Sequence, residues 1–70
     1  MKHYALSLTA NKSIQTSIAI NQTIHHDVVT LYAVSKDEAI GKGFQMIQKF
    51  CPTEDGWQGH DVLVIEIEEK

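Results

Sequence analysis

Hydrophobic and polar residues alternate through most of the first third of the chain. Over residues 3–9, Tyr4, Leu6 and Leu8 fall on one side and His3, Ala5, Ser7 and Thr9 on the other. That period of two marks a half-buried strand. Asn11 and Lys12 interrupt the pattern, and a turn is expected there because Asn tolerates positive φ. Residues 13–20 alternate again, with Ile14, Thr16, Ile18 and Ile20 opposed to Ser13, Gln15, Ser17 and Ala19. The two segments predict an antiparallel hairpin. A second polar pair, Asn21 and Gln22, precedes residues 23–34, whose β-branched and aromatic content predicts a third strand.

At Ser35 the period changes. Ser-Lys-Asp-Glu places serine at an N-cap with Glu38 three residues on, a capping box, and Asp37 and Glu38 suit the positive end of a helix dipole. Ile40, Gly43, Phe44, Ile47, Phe50 and Cys51 then recur at helical spacing until Pro52 stops the helix. Gly43 lies within the apolar stripe, where a missing side chain lets a helix approach a sheet closely. Residues 52–61 read as a loop by composition. Residues 62–69 read as the last strand, with Leu63, Ile65 and Ile67 opposed to Val62, Val64, Glu66 and Glu68.

The order strand, strand, strand, helix, strand predicts an α+β two-layer sandwich in one domain spanning residues 1–70. Its mostly antiparallel four-stranded sheet would carry one helix on one face, the last two strands running parallel across a right-handed crossover.

The Gly-Lys-Gly at residues 41–43 invites a nucleotide-binding reading that its spacing rejects. A phosphate loop needs glycine five residues before Gly-Lys and Ser or Thr after it; here Lys36 and Gly43 occupy those positions. The dinucleotide fingerprint fails because Met46 stands at its third glycine.

Composition narrows the picture further. All six basic residues are lysines, scattered singly, and the net charge is −3. With no arginine fork and no basic patch, nucleic acid is not an expected partner. No apolar run reaches the length of a signal core or a membrane span, so no membrane association is expected. One cysteine forbids an internal disulfide and fits a reducing, cytoplasmic setting.

No metal or cofactor is expected. His25 and His26 are adjacent and would point to opposite faces of a strand, and no Cys-x-x-Cys or His-x-x-x-His spacing occurs. Cys51 sits at a helix C-terminus, where the dipole disfavours a thiolate. A catalytic role is therefore not expected. The remaining candidate binding loop is residues 52–61, with Asp55, His60 and Asp61 as acid–base groups and Trp57 as a stacking surface.

The third and last strands look apolar on both faces, the mark of strands covered on both sides, yet one helix covers only one. Val28, Tyr32, Val34, Val62 and Val64 are the candidate interface residues on the other. Such a patch is a common site of association, so a homodimer or a complex with another protein is expected.

The segment "YAVSKDEAIGKGF", followed by "FCPTEDGW" and an apolar final strand, resembles short bacterial proteins with a Ser-x-x-Glu-Ala helix start and a Pro…Gly-Trp loop. Those proteins have no assigned activity to carry over. The element order is also similar to the HicB-type antitoxin module, but the Pro-Asp…Gly-Cys segment usual there is missing, so that likeness is one of topology. The expected function is that of a non-catalytic protein-binding or homodimeric accessory protein. The alternatives are an inhibitor that blocks a basic partner through Glu66, Glu68 and Glu69, or a small-molecule binder using the 52–61 loop.

Overall fold

The first half of the chain is one long hairpin. In the computed structural model, which describes residues 1–16 and 18–68, β1 runs Lys2–Gln15 and β2 runs Ile20–Ala33. They pair antiparallel without interruption, from Lys2 opposite Ala33 to Gln15 opposite Ile20. Helix α1 follows at Lys36–Phe50, then a 3-10 turn at Thr53–Asp55 and strand β3 at Trp57–Ile67. β3 pairs antiparallel with the other side of β1, so the sheet order is β2-β1-β3.

Among the described residues the sheet therefore has three strands, which corrects the expected four. The residues expected as a separate second strand are shared out: 13–15 end β1, and Ile20 begins β2. Neither polar pair turns the chain. Asn11 sits opposite Ile24, Lys12 opposite Thr23, and Asn21 opposite Ile14, all inside the ladder. The reversal falls between the end of β1 at Gln15 and the start of β2 at Ile20, where Thr16 bonds to Ala19. The Thr16 N–H donates to the Ala19 carbonyl at 2.8 Å, and its hydroxyl accepts from the Ala19 N–H at 3.0 Å. The part of the expected alternation that fell on Ser17 lies outside the described residues.

Helix α1 starts as its sequence dictates. Ser35 accepts from the Glu38 N–H at 3.2 Å, and Glu38 accepts in return from the Val34 N–H at 3.4 Å. The second bond reaches one residue further back than in the usual box. Ala39, Gly43 and Ile47 form its buried stripe, which packs on Tyr4, Leu6 and Leu8 of β1 and Val62 of β3. A Cβ at Gly43 would stand 2.7 Å from Leu6 Cδ2 and 2.8 Å from Val62 Cγ1. The bare glycine lets the helix sit that close.

β3 also begins earlier than expected, taking in residues 57–61. Asn11 opposes Gln58 and Thr9 opposes Asp61, so Gly59 and His60 together face Ala10. This two-against-one bulge has Gly59 at φ 64°, a left-handed conformation that glycine adopts without penalty. A Cβ there would also strike the Asn11 amide.

Because β1 and β2 outrun β3, residues 13–15 and 20–22 project as a two-stranded arm. The molecule measures 55 × 20 × 13 Å along its principal axes.

Candidate functional site

The bulge decides where the loop candidates point. Beyond it, the alternation of β3 flips, so Trp57 and His60 both face the helix side while Asp61 faces the opposite, open side. Trp57 is half-buried, with the Lys12 ammonium 5.7 Å from its ring centroid and His25 edge-on at 6.2 Å. His60 Nε2 lies 2.6 Å from the Cys51 carbonyl oxygen. A carbonyl only accepts, so Nε2 carries the proton and donates. That bond ties the helix C-terminus to β3. Asp55 is exposed in the 3-10 turn, and Asp61 accepts from the Val62 N–H at 2.9 Å. The four residues do not converge, and Trp57, His60 and Asp61 each already have a structural contact.

Other chemistry is equally dispersed. Cys51 is fully buried, and burial raises its thiol pKa. No group of three or more His, Cys, Asp or Glu side chains among the described residues is placed to hold a metal. Glu66 pairs with Lys2 at 3.4 Å on an exposed edge, where such pairs contribute little. Glu68 is exposed, and Glu69 lies outside the described residues.

The sheet face opposite the helix is the largest feature left. Cross-strand partners share a face, so the register places His3, Ala5, Ser7 and Thr9 of β1 there. Beside them lie Val28, Thr30 and Tyr32 of β2 and Leu63, Ile65 and Ile67 of β3. Val28 is 62% exposed, Tyr32 52%, Leu63 64% and Ile65 69%. Val34 is also exposed, in the bend that leads to the helix. Val62 and Val64 are not on this surface: Val62 is buried and Val64 half-buried, both on the helix side. The register with β1 puts Val62 and Val64 on the face of Leu8 and Leu6, under the helix, where Val62 lies against Gly43. Leu63, Ile65 and Ile67 occupy the open face instead.

Polar groups interleave with the apolar ones on this face: β1 contributes His3, Ser7 and Thr9 beside Ala5, and β2 alternates His26 and Thr30 with Val28 and Tyr32. His26 Nε2 lies 2.8 Å from Ser7 Oγ, and His3 stacks on Tyr32 with ring centroids 4.3 Å apart. The hydroxyl–imidazole pair is exposed.

The sheet edges are blunted at single positions by the protein's own side chains. On β2, Asp27 takes the Val28 N–H at 2.9 Å, and the Lys42 ammonium reaches the Tyr32 carbonyl at 3.5 Å. On β3, Asp61 takes the Val62 N–H. A partner strand arriving at either edge would have to displace these bonds. The face asks no such exchange.

No protein-family model matches the chain, and no curated protein and no solved structure matches it either. Among the described residues, no helix is long and apolar enough to cross a membrane.

Proposed function

We propose that this chain is a non-catalytic binding protein that works in the cytoplasm by docking the open face of its sheet onto another protein surface. The observation that carries the reading is a pair of apolar rows on the outer strands, Leu63, Ile65 and Ile67 of β3 and Val28 and Tyr32 of β2, which flank His3, Ala5 and Ser7 of β1 on the face the helix leaves uncovered. Leaving each such side chain in water forgoes about 1.5–3 kcal/mol. Several together rival the roughly 3–5 kcal/mol that the core of a domain this size supplies. The blunted edges support the face, rather than strand addition, as the contact. The single buried cysteine fits a reducing compartment.

The test is site-specific photo-crosslinking in living cells. A benzophenone amino acid at Ile65 is expected to give a protein adduct of discrete size. The same probe at Gln48, exposed on the helix, is expected to give none. No adduct at Ile65, or the same adducts at both positions, would sink the proposal.

A further inference from the structure

We infer that the occupant of the open face is the same face of a second copy of this chain. The inference rests on the protein-binding reading above and names its partner. Charge is the first argument. Among the described residues of the three strands, Asp61 is the only carboxylate or ammonium whose position falls on the open face. An acidic or nucleic-acid partner would find no ammonium there, and a basic partner only the one carboxylate of Asp61. A second copy brings a surface that is neutral in the same way, while most of the charge behind its net −3 stays off the contact.

Area is the second argument, and it brings in the arm. Over the length of β3, 11 residues, three strands spaced ~4.8 Å apart with ~3.3 Å per residue give a flat footprint of about 500 Å2. The two 14-residue strands of the hairpin extend it to about 600 Å2 by the same spacings. Side-chain relief raises the accessible area above the flat figure, toward the ~800 Å2 per partner of a standard stable interface. The arm extends the pattern of β2, in which Gln22, His26 and Thr30 separate the apolar residues on the open side. Ile20, Ile24, Val28 and Tyr32 recur every fourth residue on the open side of β2. Ile20 is 72% exposed and Ile24 68%, and a two-stranded ribbon is marginal in water by itself.

Supply is the third. A chain whose small core leaves this face uncovered needs its cover wherever it is made, and a second copy is always present there. Two such faces related by a two-fold axis form a closed, isologous pair, with the sheets about 10 Å apart as in a sandwich.

The decisive experiment is sedimentation equilibrium of the full chain from micromolar to near-millimolar concentration. Monomer and dimer are expected to exchange, with the mass of two chains at the upper end. Ile65→Asp would place a charge in the contact and is expected to weaken the dimer by about a hundredfold or more. Ile20→Asp, on the arm and remote from the core, is expected to weaken it by about tenfold. Gln48→Asp is expected to leave it unchanged, with far-ultraviolet dichroism confirming that each variant keeps its fold. A dimer indifferent to both aspartate substitutions overturns the inference, because the contact lies elsewhere. A chain that stays single while the Ile65 crosslinker traps a different protein also overturns it, yet leaves the protein-binding reading standing. A single chain with no adduct removes both.

Discussion

Cys51 and His60 carry two reactive functional groups, and packing puts both to structural use. The thiol is enclosed where the helix meets the sheet, with its N–H donating to the Ile47 carbonyl at 2.8 Å and its own carbonyl held by His60. Burial raises the thiol pKa, so the folded chain holds the sulfur proton more tightly than the unfolded chain does. A proton bound more tightly in the native state stabilises it fully below the unfolded value. That contribution is lost as pH rises from the ordinary thiol value of 9.0 toward the raised one. Two consequences are expected. Labelling by iodoacetamide at pH 8 should be slow in the native protein and fast in denaturant, because both access and thiolate are withheld. The decline in stability above pH 9 should be smaller in Cys51→Ala, measured by urea unfolding at each pH relative to its own value at pH 7. Native labelling as fast as that of a free thiol would mean that the helix end is open.

At the scale of elements, the two glycines of α1 give opposite tests of how the helix meets the sheet. A Cβ at Gly43 would press on Leu6 and Val62, both packed in the core, and overpacking costs ~1–3 kcal/mol. The roughly 1 kcal/mol of helix propensity gained offsets only part of that. At Gly41 a Cβ would meet nothing within 4 Å, so alanine should gain up to about 1 kcal/mol. Urea unfolding of Gly43→Ala and Gly41→Ala is expected to shift the midpoint down and up respectively; the same sign for both would contradict the packing described. These features were legible because their causes are local. Ser35 and Glu38 sit three residues apart, and Gly43 lies inside its own stripe. The hairpin was not legible in the same way. Asn11 and Lys12 have better turn chemistry than Thr16, but their side chains are placed beside Gly59 and over Trp57, contacts that exist only once β3 has docked. The sides of β3 were equally opaque. Both are apolar, and which one meets the helix is set by the register of β3 on β1, a pairing between residues as far apart in the chain as Leu6 and Val64. Of the candidate interface residues, Val28 and Tyr32 of β2 lie on the face away from the helix, whereas Val62 and Val64 of β3 lie beneath it.

For the whole molecule, a neutral apolar contact and a charged one respond differently to solution conditions. If folding and pairing through the open face are coupled, the thermal midpoint must rise with protein concentration. Tenfold in concentration is worth about 1.4 kcal/mol per dimer. Unfolding two chains of 70 residues changes the entropy by about 0.3 kcal/mol/K, from ~2.1 cal/mol/K per residue. The midpoint should therefore climb by roughly 5 °C for each tenfold increase. Sodium chloride should leave that slope in place. With two chains each of net charge −3, it can raise the midpoint slightly by screening their repulsion. A contact built on ion pairs would behave in the opposite way, loosening as salt is added. Scanning calorimetry across concentration at low and high salt reads both effects at once. A midpoint independent of concentration would show that the chain unfolds as a single subunit. A midpoint that falls steeply with salt would place charge at the contact, where the open face has almost none.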